Sequence, residues 1–268
     1  MDHLRFQSFA SGSSGNCYFI GNASSGILID AGIGVLTIRK NLKTLGIDFR
    51  DIWGVFVTHS HADHIRAIGS LGEVHHVPIY TTREIHESIN KSYCVTEKLN
   101  GSRRYLVKEQ TFSIGDFAIT AFEVSHDAAD NVGFTVEYKG KRVTFATDLG
   151  YVCENANKHL KQANVIIFEA NYDEQMLDNG PYPADLKRRI KSKTGHLSNQ
   201  QTAEYLAEIY HEGLEKIFLC HLSKENNHPV IAFKTVEKML TDKGVRIGED
   251  VELYTLERMT STSLFLLN

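Results

Sequence analysis

His59-Ser60-His61-Ala62-Asp63-His64 directly follows the apolar run Trp53-Gly54-Val55-Phe56-Val57-Thr58. Three imidazoles and a carboxylate fall within six residues, after a run whose apolar, β-branched character predicts a strand. One small ion cannot take all four groups, because His59, His61 and Asp63 alternate while His64 sits beside Asp63. A tight turn can instead give two donors to each of two adjacent ions, with further ligands drawn from elsewhere in the chain. The pattern makes sense as a two-metal site.

Other apolar runs also end in a donor. Ile119–His126 (ITAFEVSH) ends in His126, Arg142–Asp148 (RVTFATD) in Asp148, and Lys216–His221 (KIFLCH) in His221. Taken singly, a histidine at a strand end is usually a hydrogen-bonded surface group, and an aspartate there a turn former. Beside the HSHADH cluster they become candidate ligands. A carboxylate delivered between two ions can bridge them, which is the expectation for Asp148.

Around these points the chain reads as strands and helices in mixed order. GILIDAG (26–32) predicts a buried strand ending at Asp30. Val35, Ile38, Leu42 and Leu45 follow at helical spacing, with Gly46 as C-cap. Residues 83–110 give no clear assignment and are expected to be an insertion over the site. In the second half, 116–126, 133–138 and 142–148 predict strands, with Lys139-Gly140 turning between the last two. Residues 164–171 and 216–223 predict further strands, and 251–255 and 262–267 closing ones. Ser198 with Gln201 forms a capping box that opens a helix through about Tyr210, and Pro229 starts another. Strands joined by both hairpins and helices imply an α/β fold with mixed sheets and helices outside.

Composition sets the outer bounds. At 268 residues the chain can bury a substantial core, and 42% apolar with 23% charged residues is ordinary for a globular protein. No apolar run reaches the roughly 18 residues of a membrane span. The N-terminal stretch has no basic region leading into an apolar one, so no signal peptide is expected. Cys17, Cys94, Cys153 and Cys220 are scattered and read as reduced thiols of a cytoplasmic protein. A net charge of −4 argues against a diffuse grip on polyanions.

With these motifs in place, the sequence resembles the metallo-β-lactamase-fold hydrolases, whose HxHxDH signature stands unchanged at 59–64. Asp30 matches the aspartate before the first helix, and His126, Asp148 and His221 match the later motifs in order. The resemblance implies a four-layer αββα sandwich of two mixed β-sheets, forming a single domain over 1–268. It also implies His59, His61 and His126 on one metal, Asp63, His64 and His221 on the other, and Asp148 bridging. Asp63 would have a catalytic as well as a ligating part. Ser11–Asn16 (SGSSGN), Gly195–Gln200 (GHLSNQ) and His221–Asn227 (HLSKENN) are similar to the WalJ/YycJ branch of probable 5′-to-3′ DNA exonucleases. Thr194–Ala207 also resembles the histidine-bearing helix start of ribonuclease Z, which would put His196 near the scissile phosphate. The interval from Asp148 to His221 is too short for the extra domain of the β-CASP nucleases.

The implied chemistry is phosphodiester hydrolysis by a metal-bound hydroxide, with His196 as general acid. The helix start after His196 is expected to attract an anion. Ser13, Ser14 and Asn16 offer a backbone and hydroxyl cradle for phosphate. Ser198, Asn226 and Asn227 are further candidate substrate contacts, and Glu169, Asn171 and Asp173 candidate supports for the ligands. Lys187, Arg188, Arg189, Lys191 and Lys193 could line an approach for nucleic acid, or form a solvated face. Nitrogen and oxygen ligands suit zinc, manganese and iron alike. DNA is the expected substrate, with RNA open. The alternatives are a small-molecule hydrolase acting on a cyclic phosphodiester or thioester, and a non-catalytic metal-containing partner of a cell-envelope signalling system.

Overall fold

The computed structural model describes residues 3–267. In chain order the first half carries β1 (Leu4–Ala10), β2 (Cys17–Gly21), β3 (Gly26–Ile29), α1 (Val35–Thr44), β4 (Ile52–Phe56) and α2 (Ala62–Ile65). It continues with β5 (Ile79–Thr81), α3 (Arg83–Lys91), β6 (Arg103–Tyr105), β7 (Thr111–Ile114) and β8 (Phe117–Glu123). The second half carries β9 (Val132–Tyr138), β10 (Lys141–Ala146), α4 (Glu154–Leu160), β11 (Val165–Glu169), α5 (Glu174–Asn179) and α6 (Ala184–Ile190). Then come α7 (Asn199–Ile209), β12 (Lys216–Cys220), α8 (Pro229–Asp242), β13 (Glu252–Thr255) and β14 (Phe265–Leu267).

The strands form two mixed seven-stranded sheets, in the orders β14-β1-β2-β3-β4-β5-β6 and β13-β12-β11-β10-β9-β8-β7. The chain divides into two compact units. Among the described residues, the first comprises 3–121, 128–132 and 257–267, the second 122–127 and 133–256.

In the first unit β1, β2 and β3 are antiparallel, while β3, β4, β5 and β6 run parallel. Strands β2 and β3 are buried on both faces, which is why CYFIG and GILI read as unbroken apolar runs. Helix α1 buries Ile38 and Leu42 and ends where Gly46 takes φ +76°. Residues 83–110, which the sequence pattern left unassigned, carry regular structure. They contain α3, whose N-cap Thr82 accepts from Ile85 N–H, and the edge strand β6. The signal was weak because α3 buries little besides Ile85 and Ile89, and its third buried residue is a histidine, His86.

In the second unit β10, β11, β12 and β13 are parallel, and β9 meets β10 through a hairpin. Lys139 and Gly140 both take positive φ there, as a tight hairpin turn requires. Ala146, Ile166, Phe168 and Leu219 of the strands pack with Leu206 of α7 and Val236 and Leu240 of α8. The capping box of Ser198 and Gln201 is formed, and His228 caps α8 ahead of Pro229.

Candidate metal centre

The first donor group is built where β4 leaves its ladder. Val57 N–H still donates to Tyr80 O of the neighbouring strand. The next amide, Thr58 N–H, turns aside to Asp30 Oδ1 at 2.8 Å, and the strand stops. A turn follows and then the single helical turn α2, with His61 as N-cap. That turn is stitched to residues 30–32: Ala31 N–H donates to His64 O, and Ala67 N–H to Ala31 O. A Cβ on Gly32 would lie 1.6 Å from Asp63 O, so only glycine allows this approach.

Hydrogen bonds then assign the ring nitrogens. Asp30 is fully buried and its carboxylate accepts from Thr58 Oγ1 (2.9 Å) and His64 Nδ1 (2.7 Å). Burial pushes the Asp30 carboxyl above its ordinary range, while the charge and hydrogen bond of His64 pull it back. His64 Nε2 then carries a lone pair, the requirement for a ligand atom, and it lies 3.0 Å from Asn16 Nδ2. Since Thr58 Oγ1 donates to Asp30, it accepts from His59 Nδ1 at 3.0 Å, and His59 Nε2 is the coordinating nitrogen. His59 Nε2 and His61 Nδ1 are 3.0 Å apart, a spacing two imidazole nitrogens hold by sharing a proton or a cation. Asp63 Oδ2 lies 3.6 Å from His64 Nε2. Asp30 sits at φ +57°, a left-handed conformation that aspartate tolerates better than most residues.

The second donor group belongs to the second unit. Asp148, Glu169, His196 and His221 each bring a ligand-type atom within 4.8 Å of the others. His221 follows β12 at φ +53°, a strained backbone position of the kind functional sites retain. Its Nδ1 lies 2.7 Å from Asp148 Oδ1 and 3.2 Å from Glu169 Oε1, and its carbonyl accepts from Asn171 Nδ2. His126 gives Nδ1–H to Gly195 O at 3.0 Å, and its Nε2 lies 3.9 Å from Asp148 Oδ1.

Glu169 organises this quartet. It is fully buried and accepts from His196 Nδ1 (2.6 Å), from His221 Nδ1, and from the amides of Leu149 and Leu197 (both 3.1 Å). Burial raises the Glu169 pKa, but the charge and hydrogen bond of His196 outweigh it, and the net shift is downward. The His196 pKa is shifted up for the reciprocal reason: burial disfavours its charge, and Glu169 more than compensates. A half-buried imidazole whose charged form a neighbouring carboxylate favours suits a general acid.

The remaining sequence candidates have other surroundings. Asn16 is buried beside the first donors, its Oδ1 accepting from Gly12 N–H and Tyr18 O–H, whereas Ser13 and Ser14 are exposed. Ser198 Oγ accepts from Gln201 N–H, and Asn199 N–H donates to Tyr172 O. These bonds use amides that an anion at the start of α7 would need, so that helix end is a poorer anion site than its position implies. Asn226 is fully buried, and Asn227 Nδ2 donates to Ala170 O and Asn171 O, tying β11 to the loop after β12. Asp173 caps α5. Thr58 and Asp127 escaped sequence reading. Asp127 lies beside His126 and binds Arg189, and only its place after a ligand histidine hinted at it.

The basic run is largely engaged. Lys187 Nζ donates to Asp178 O and Gly180 O (both 2.8 Å), Lys191 pairs with Asp178, and Arg188 pairs with Asp185. Its cations serve local structure first.

Both donor sets combine imidazole nitrogen and carboxylate oxygen, a chemistry that fits divalent zinc, manganese or iron. Residues 26–222 match the family described as a Beta-lactamase superfamily domain. The chain belongs to the metallo-β-lactamase superfamily. Within it the chain is 32% identical to exodeoxyribonuclease YycJ of Bacillus anthracis, over 97% of this chain and 98% of the relative. It is 31% identical to exodeoxyribonuclease WalJ of Streptococcus pneumoniae serotype 2 (strain D39 / NCTC 7466), over 97% of each. The fold is shared with the metallo-β-lactamase fold protein YhfI from Bacillus subtilis at TM-score 0.71 and 17% identity, covering 97% of this chain and 99% of that one. Among the described residues no helix is long and apolar enough to cross a membrane.

Proposed function

We propose that this protein is a metal-dependent phosphodiesterase acting as a 5′-to-3′ exodeoxyribonuclease. The observation that carries the reading is the buried Glu169 holding His196 and His221 by their Nδ1 atoms. It supplies an acid and a ligand from one carboxylate. Near-full-length similarity to two exodeoxyribonucleases supports the DNA substrate. The superfamily match runs through residues of both units, which supports reading the chain as a single domain, and the four free thiols accord with a cytoplasmic setting.

His59, His61 and His126 would hold one ion and Asp63, His64 and His221 a second, with Asp148 offering its carboxylate to both. Bound there, divalent ions lower the pKa of a coordinated water and neutralise the attacked phosphate. Asp30 and Thr58 fix the tautomers of His64 and His59, so that the donor nitrogens need no reorientation. Asp63 positions the attacking water. His196 gives its Nε2 proton to the leaving alkoxide while Glu169 stabilises the charged ring. Ser13 and Ser14, exposed at a loop tip, contact the phosphate by their hydroxyls and amides.

The test is cleavage of single- and double-stranded DNA labelled at the 5′ or 3′ end, with zinc, manganese and iron(II) each supplied in turn. A nitrophenyl phosphodiester and an RNA of the same sequence run alongside. Mononucleotides released from the 5′ end are expected. Turnover of the small diester with intact DNA under every metal would overturn the nuclease reading.

A further inference from the structure

Strands β4, β5 and β6 lie side by side and parallel, so the chain leaves all three at the same edge of the first sheet. Thr58 and His59 follow β4, Thr82 and Arg83 follow β5, and Leu106 to Lys108 follow β6. Thr81 is opposite Tyr105, and Val57 is bonded to the neighbouring Tyr80. With strands spaced at ~4.8 Å, Tyr105 stands roughly 10 Å along that edge from the start of the HSHADH turn. A groove of about 610 Å³ opens there, walled by Thr82, Arg83, Glu84, Tyr105, Lys108 and Asp130 among others.

Resting on the nuclease reading above, we propose that this groove binds a nucleotide of the substrate strand beyond the bond being cut. Its base stacks on Tyr105 and its phosphate is held by Arg83. Tyr105 is 49% exposed yet fixed in place. The Arg83 guanidinium lies 5.0 Å from the ring centroid, and His86 meets the ring edge-on at 5.2 Å. His86 is itself locked by donating Nε2–H to Arg104 O at 3.0 Å. A rigid exposed aromatic beside a guanidinium is the platform on which proteins stack single-stranded bases, since every base has a π face.

Charge points the same way. Among the described residues no carboxylate pairs with Arg83, Arg103 or Arg104, and the Arg104 guanidinium donates to the carbonyls of Gly101 and Arg103. Asp130 in the groove is already taken by Lys108 Nζ (2.5 Å) and Thr82 Oγ1 (2.7 Å), which braces the wall. Lys108 and Asp130 neutralise each other and Glu84 also lines the groove, so Arg83 is the groove's one cation without a carboxylate partner among the described residues. This contrasts with the 187–193 run, whose cations are mostly bound within the fold. The open edge of β6 carries Arg-Arg-Tyr, and charges on an edge strand discourage pairing with a protein strand. A polyanion suits it better.

The metal-loaded protein is assayed on oligothymidylates of increasing length and on a nitrophenyl phosphodiester. Variants Tyr105→Ala, Tyr105→Trp and Arg83→Ala are compared, with circular dichroism as the folding control. Tyr105→Ala is expected to raise KM for the longer oligonucleotides on the order of ten-fold. The loss on the small diester is expected to be smaller, and Tyr105→Trp retains oligonucleotide binding. Arg83→Ala flattens the salt dependence of KM. If the wild type degrades DNA while Tyr105→Ala keeps its KM at every length, the groove assignment fails and the nuclease reading stands. If the wild type leaves DNA intact, both fall.

Discussion

His196 Nδ1 lies 2.6 Å from Glu169 Oε1. An ionised carboxylate only accepts, so the ring nitrogen facing it carries the proton, and the proton for chemistry must come from Nε2. His196→Ala is therefore expected to retain metal and lose ~10²–10⁴-fold in kcat on DNA. A nitrophenyl diester, whose leaving group needs little protonation, is hurt far less. Metal analysis with parallel kinetics on the two substrates checks this, and equal losses on both would remove the acid role.

Glu169→Gln removes the charge that holds His196 up in pKa. The His196 pKa is expected to fall, so the alkaline limb of the kcat–pH profile moves to lower pH. Activity or metal affinity is expected to drop about 10–100-fold, as for other supporting groups of metal ligands. A profile unchanged in position would show that Glu169 does not set the acid.

Asp148 is 3% exposed and lies against both His126 and His221. Asp148→Ala is expected to lower bound metal and abolish hydrolysis in a folded protein. Elemental analysis and circular dichroism read the two effects separately. Full metal content with normal turnover would remove the dinuclear assignment.

Asp30→Asn isolates tautomer control from backbone strain. Asparagine tolerates the φ of +57° found here, so the fold is expected to survive. An amide can present its NH₂ group to His64 and release the Nδ1 proton constraint. A 10–100-fold loss of metal affinity is expected in a chelator competition.

Away from the site, Glu73 accepts from Asn100 N–H, Ser102 N–H and Ser102 Oγ. The Ser102 hydroxyl, then the Asn100 amide, draw its pKa from an ordinary 4.5 down to about 2. A depressed folded-state value stabilises above the unfolded pKa and is lost as pH falls through the folded one. Between pH ~4.5 and ~2 the wild type is expected to lose this contribution. Glu73→Gln is expected to lower Tm at pH 7 and to show a shallower fall of Tm across that window.

What was legible in the sequence is what is local. HSHADH, the Ser198–Gln201 box and the donors closing β10 and β12 each lie within a few residues and depend on period or capping. The supports were harder because they act at long range. Thr58 matters only through Asp30, 28 residues earlier in the chain, and no spacing rule joins them. The 187–193 run showed its charge but not its partners, since Asp127 and Asp178 approach it only in the folded chain. Asn226 and Asn227 looked available for substrate because a polar pair in a loop gives no sign of burial.

The joint between Asp30 and the end of β4 also has a kinetic meaning. The imidazoles of 59–64 are close in sequence, but their tautomers are set only after β3 and β4 have paired in parallel. Parallel pairing closes a long loop and is slow compared with local turns. An unfolded chain can therefore bind metal through HSHADH early and in the wrong arrangement, using whichever nitrogens are at hand. Refolding with metal present would then pass through a mis-ligated state, while refolding in chelator followed by metal addition would meet a turn already locked by Asp30 and Thr58. The order of addition decides how much of the protein reaches the native centre.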